Sequence, residues 1–362
     1  MIRTLLLVAH VACGDDALTS DPTTPTDTDP TDPTDPTDPD PTTDTDTDGP
    51  PPAQQGVTNS LAGALFSITG TSASDVWTVG ARDAAGPQLW HFDGTAWTRP
   101  DASELDFDFW WVWHGGSTLF IGGSKGHITT YDVVSGTFTD TAVADPAYTF
   151  FGVWGSGPND VWAVAGDTAS GMPGVIYHYD GTNWTLSTTV APKDGTNRSA
   201  FKVWGRGASD VTVVGTGTLT MHWDGSAWSE LPSPLFSTIP LTTVSGDASN
   251  TIAVGGFGNA AAQSIADGIV NDISPPPTSL APAFLGVYDD DDHDPVASSQ
   301  VGTLWWWRDD AWHEDAATPA YSDALHGVWT DPDGGTWAVG GDLISQTRGT
   351  IIYVGGTTVP SP

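Results

Sequence analysis

Residues 151–188, FGVWGSGPNDVWAVAGDTASGMPGVIYHYDGTNWTLST, read as four short strands in a row, and degraded copies recur from Phe66 to the C-terminus. FGVWG is an apolar run closed by glycine, SGPND is a turn cluster, and VWAVAG is a second apolar run of β-branched and aromatic residues. In VIYHYD, Val175, Tyr177 and Tyr179 alternate with Ile176 and His178, which is the period of a strand. Asp180-Gly181 then reaches positive φ cheaply and leads into NWTLST as the return strand of a hairpin.

The copies align on Ile68, Val112, Val153, Val203, Val244, Val287 and Val328, which follow one another at intervals of 41 to 50 residues. Four-stranded propeller blades have periods of roughly 40–50 residues. One such sheet cannot bury both faces, and radial closure hides them while leaving only short edges. The sequence therefore predicts an all-β fold, a seven-bladed β-propeller of four-stranded antiparallel blades over residues 54–362, preceded by a disordered acidic linker. The last copy supplies only three strands, LHGVWT, TWAVGG and GTIIYVGG. The spare piece QQGVTNSL, residues 54–61, is expected to be the outer strand of the seventh blade and to latch the ring.

The V-W-G-x-x-x-x-D-V-W-A-V-G and H-x-D-G-x-x-W signatures resemble the propeller repeats of surface lipoproteins from myxobacteria and related bacteria. The resemblance spans about residues 66–356. It is close in the first, third and fourth copies; the fifth keeps only VSG and TIAVGG, and the sixth replaces VWG with VYD. It implies a propeller fold and a cell-surface address, and it implies no particular activity.

At the N-terminus, MIRTLLLVAHVAC places one cation, Arg3, before an apolar run that ends at Cys13, the layout of a secretory signal over residues 1–12. Val11-Ala12-Cys13 fits a lipobox, although His10 stands where a Leu-like residue is usual. Cys13 is the chain's only cysteine, which excludes an internal disulfide and marks it as the lipidation site. An ordinary signal peptide is the alternative. Gly14 after the cysteine favours export to the outer membrane. Within the linker, 13–53, residues 19–52 are almost entirely Asp, Thr and Pro, too poor in apolar groups to offset chain entropy. At ~3.1 Å per residue such a tract reaches on the order of 100 Å.

A formal charge of −35 with only ten Lys and Arg repels phosphate backbones, which argues against nucleic acid as a partner. Neutral glycans, proteins or peptides, and divalent cations remain. Eighteen tryptophans suggest sugar stacking, but Trp77, Trp162 and Trp337 share one repeat position and Trp97, Trp184, Trp228 and Trp312 another, which is the pattern of packing. His91, His178 and His222 also share a position, and each is expected to be oriented by the aspartate two residues later, Asp93, Asp180 or Asp224. Asp75, Asp160 and Asp210 are expected to cap turns.

Departures from the repeat carry the candidate sites. DDDDHD replaces the usual turn in the sixth copy, and its Asp289, Asp290, Asp291, Asp292 and Asp294 make a Ca²⁺ site conceivable beside the alternative of a solvated acidic turn. Ligands are expected on the face made by the loops from second to third strand and from fourth strand to the next blade. Those loops carry Arg82, Asp83, Lys125, His127, Asp167, Arg198, Asp342 and Arg348, and Asp106 and Asp108 lie on the approach to the second blade. No catalytic residue is singled out, and no cofactor is expected unless Ca²⁺. The sequence reading is an exported, lipid-anchored, monomeric binding or scaffolding module at the cell surface. The alternatives are a carbohydrate-active hydrolase and a periplasmic outer-membrane assembly scaffold.

Overall fold

The computed structural model describes residues 54–167, 171–315 and 323–362. The expected signal, Cys13 and the linker lie outside them. The described chain forms seven four-stranded antiparallel sheets, each in simple up-and-down order from the axis outward. It is a seven-bladed β-propeller, as the repeat predicts. The inner strands of blades 1 to 7 are Leu65–Ser72, Phe109–His114, Thr149–Gly157, Ala200–Gly207, Leu241–Gly246, Phe284–Tyr288 and Ala324–Thr330. Blades 5 and 6, whose motifs are eroded, still complete all four strands.

The ring closes as expected. Gln54–Leu61 is the outer strand of blade 7 and pairs antiparallel with Gly349–Val354, Gln54 facing Val354 and Leu61 facing Gly349. Val57 is buried against a cluster that includes Ile351, Tyr353 and Val359. Both chain ends thus belong to one sheet, and pairing converts what would be an exposed edge into a ladder.

The V-W-G motif has a packing cause that lies between blades. In blades 2, 3, 4 and 7 the Trp of the motif lays the far edge of its ring on the motif Gly of the following blade: Trp113 on Gly155, Trp154 on Gly205, Trp204 on Gly246, and Trp329 on Gly70. A Cβ at any of these glycines would stand 2.6–2.8 Å from the ring, closer than real contacts allow. Where the tryptophan is missing, so is the glycine. Thr69, Ser245 and Tyr288 replace Trp in blades 1, 5 and 6, and His114, Asp289 and Thr330 replace Gly in the blades that follow. The freed volume is used: His114 Nε2 reaches to 3.6 Å from Asp75 of blade 1. At the next such seam Ser245 Oγ accepts the backbone N–H of Asp289 at 3.1 Å.

The other repeated tryptophans also pack. Trp77, Trp162 and Trp337 are buried on the second strands. Trp97, Trp228 and Trp312 each donate the indole N–H backward to the preceding blade, to Pro360 O, Ser187 Oγ and Ile273 O at 2.9–3.1 Å. Deleting residues 54–61 is expected to lower the melting temperature by on the order of 10 °C, since it strips the outer strand from blade 7 and exposes a core edge. A differential scanning calorimetry trace unchanged by the deletion would contradict the latch.

Candidate functional site

Every inner strand carries a β-bulge at the same place. There the register skips one residue in each blade: Phe66, Trp110, Phe151, Phe201, Thr242, Leu285 and His326. A bulge re-aims a side chain, and here it turns seven of them toward the axis. On blades 1 to 4 they form a continuous aromatic stack: Phe66 lies parallel to Trp110 at 4.2 Å, Trp110 meets Phe151 edge-on at 5.1 Å, and Phe151 meets Phe201 at 5.4 Å. All four are buried, whereas Thr242, Leu285 and His326 keep part of their surface. Blades 1 to 4 thus present a packed aromatic layer, and blades 5 to 7 continue it with a hydroxyl, an aliphatic and an imidazole side chain.

The residues one step deeper are Ser67, Trp111, Gly152, Lys202, Thr243, Gly286 and Gly327. Lys202 is the one charge in this layer. It is 3% exposed, and its Nζ lies over the ring of Trp111, two blades away, at 4.2 Å from the centroid. His326 completes the group, 6.5 Å from Trp111 and donating Nδ1–H to the Phe66 carbonyl at 2.6 Å. That bond fixes the tautomer and leaves Nε2 as an acceptor. Burial and the neighbouring Lys202 charge push His326 down to about 3, and burial pushes Lys202 down to about 7. Blades 2, 4 and 7 thus bring three non-repeating polar or aromatic side chains together on the axis. The sequence reading missed all three. Their signal was a Lys and a His within apolar inner strands, at positions where other copies carry small or aromatic residues.

The residues expected on the loop face do not gather. The Arg82 backbone N–H donates to Asp108 at 2.8 Å. Asp83 holds Arg99 through both oxygens, and Lys125 binds the Asp106 carboxylate at 2.8 Å. His127 donates to Asp140, Arg198 is buried in a bidentate pair with Glu230 at 2.7 Å, and Arg348 pairs with Asp323. Asp342 caps its own turn by accepting from Ile344 and Ser345, and Asp167 is buried. Most of these groups are spent on intrachain contacts that brace loops.

The histidine assignment is corrected. His91, His178 and His222 donate to Asp75, Asp160 and Asp210 at 2.9, 2.5 and 3.0 Å. The capping role falls to Asp93, Asp180 and Asp224, each of which accepts two backbone N–H groups of its own turn. Cross-strand register explains the exchange. His91 faces Trp77 across the ladder, and Asp75, two residues before Trp77, projects from the same face. With hydroxyl and backbone donors on them, Asp93 and Asp224 are held down to about 2.

The acidic turn disperses its carboxylates. Asp290 accepts from the backbone of Asp292 and His293 and from the His293 ring, Asp291 accepts the Ala248 N–H, and Asp294 pairs with Arg308. Among the described residues no three His, Cys, Asp or Glu side chains converge to hold a metal ion. Asp289 turns inward to the blade 5/6 seam, where its Oδ2 is buried with no hydrogen-bond partner. Burial, reinforced by Asp247, Asp290 and Asp291, pushes its carboxyl up to about 8.

No protein-family model matches the chain, and no curated protein matches it. Solved structures do match. The structure of streptogramin B lyase aligns with a TM-score of 0.64 at 12% identity, over 82% of this chain and 96% of that one. YCF48 from Cyanidioschyzon merolae gives 0.61 at 15% identity, over 85% and 100% of the two chains. The WD40 repeats of RRP9 give 0.62 at 8% identity, over 84% and 99%. At these identities what is shared is the fold.

Asp289 yields a pH prediction. Its folded carboxyl is pushed up to about 8, while an unfolded one keeps the ordinary aspartate value of 3.8, so the folded state holds the extra proton between them. The associated stabilisation is complete below about pH 4 and is lost as pH rises toward 8. Asp289→Asn is expected to flatten that decline and to raise the melting temperature at pH 8 relative to the parent. Thermal melts at closely spaced pH check this, and parallel curves for parent and variant would refute it.

Proposed function

We propose that this chain is an exported, lipid-anchored surface propeller that presents a binding or scaffolding face, in keeping with its resemblance to the propeller lipoproteins of myxobacteria. The observation that carries the reading is where the chain enters the ring. Gln54 pairs with Val354, at the end of the blade 7 ladder farthest from the loops that join outer strands to the next inner strands. Residue 54 therefore joins the ring on the side opposite those loops. Anchoring through the N-terminal side would suit a module whose ligand meets those loops. The charge of −35 disfavours anionic lipid and nucleic acid and leaves neutral glycans and proteins as ligands.

Two measurements test this. In the native host, surface biotinylation or protease shaving of whole cells is expected to reach the propeller, and Cys13→Ala is expected to release it from the membrane fraction. Protection in intact cells would instead favour a periplasmic scaffold. A glycan array followed by a hydrolysis assay separates binding from catalysis. Turnover of a bound sugar, abolished by a single carboxylate substitution, would overturn the binding reading.

A further inference from the structure

Large apolar side chains exposed among the described residues gather on one part of the loop face. Phe236, Phe257, Leu280 and Val301 stand on neighbouring loops of blades 4 to 6, and Ile344 borders them on blade 7. The loops are residues 216–218, 231–240, 256–260, 273–282 and 300–303, which join second to third strands and outer strands to the next blade. Hydrogen bonds tie them into one surface. Thr218 N–H donates to Ile239 O at 2.8 Å, Gly256 N–H to Pro240 O at 3.1 Å, and Ala260 N–H to Ala281 O at 2.9 Å. The Gln300 side-chain amide donates to Gly258 O at 3.3 Å.

None of the 32 residues in these five segments is charged, in a chain where 15% are. The equivalent loops of blades 1 to 3 carry Arg82, Asp106, Lys125 and Lys193 among others. An apolar sector from which charge has been removed is the composition of a contact surface that is desolvated on binding. Leu280 adds a backbone sign. Its φ of 53° lies in the left-handed region, which is unfavourable for a residue with a Cβ, and its side chain is left 82% exposed.

We infer that this sector of the loop face is a self-association surface on which a second copy of the chain docks. Charge selects the occupant. At −35 each, two copies repel one another, and they can approach and exclude water where an uncharged sector faces its like. An apolar patch placed across a two-fold axis is complementary to itself, because the same groups serve both sides. Size agrees as well. Of the residues in the five segments, 28 are wholly or partly exposed, and a standard interface uses roughly 20–30 on each side. The charged loops of blades 1 to 3 lie outside the patch. The inference goes beyond the proposed surface module and is independent of its anchor.

The test is sedimentation velocity on the full-length chain carrying Cys13→Ala, so that neither a lipid nor a disulfide joins copies. A monomer–dimer equilibrium is expected, with a Kd on the order of 10 μM or tighter. It should tighten as added NaCl screens the repulsion between copies. Phe236→Asp and Leu280→Asp are each expected to weaken the dimer by roughly 10-fold or more, since each would bury a carboxylate at the contact. Ile269→Asp, exposed on the opposite face, is expected to leave it unchanged. All three side chains are exposed, so the variants should melt with the parent. A monomer persisting to ~200 μM at low and high salt would overturn the proposal. Adsorption of that monomer to phosphatidylcholine vesicles, lost in Phe236→Asp, would then assign the sector to a lipid surface. A dimer untouched by Phe236→Asp and Leu280→Asp would overturn it equally, because the copies would then meet elsewhere.

Discussion

The propeller depends on the contact between a tryptophan of one blade and a glycine of the next. Each sheet is too small to bury its own faces, so its stability is borrowed from its neighbours. The indole edge can approach the facing backbone only where no Cβ intervenes, and four of the seven seams use this lock. The remaining seams exchange both partners together. A smaller or hydroxylated residue on one side is met by an imidazole, a carboxyl or a hydroxyl-bearing side chain on the other.

That exchange explains why the ring is chemically uneven. Relaxing the lock at the blade 1/2 seam admits His114 beside Asp75, and relaxing it at the 5/6 seam buries Asp289. The axis shows the same logic one layer up. A bulge common to all blades delivers seven side chains to the channel, and uniform aromatic packing gives way to Thr242, Leu285 and His326 on one side. Polar and titratable groups accumulate where the repeat has been abandoned, and a closed ring can tolerate them because the other seams retain their packing.

The blade count, the blade boundaries and the latch strand were legible in the sequence because each rests on a local pattern: apolar alternation, turn dipeptides and a missing strand in the last copy. Residues 54–61 were identifiable by subtraction, as the one piece with no other place. The seams were harder to read, since Trp154 and Gly205 meet only after closure, although the copies laid side by side do show that Trp and the next Gly are lost together. Sequence proximity misled the histidine reading: Asp93 is near His91 along the chain, but Asp75 is near it across the ladder. Charged loop residues drew attention as candidate ligand contacts because loops commonly bind, yet most here serve as braces. Lys202 was overlooked because it sits inside an apolar run, and the departure from the repeat was its only sign.

The most direct test of the seam account is a double-mutant cycle on Trp113 and Gly155, measured by equilibrium unfolding. Trp113→Thr and Gly155→Ala are each expected to destabilise, the first by leaving a cavity and the second because its Cβ would stand 2.8 Å from both the Trp113 ring and the Asp160 carbonyl oxygen. With Thr at 113 the added methyl has space on that side, so the combined loss should fall short of the sum by roughly 1 kcal/mol or more. Additivity to within about 0.5 kcal/mol would show that the two residues act independently and that the blades are held by something else.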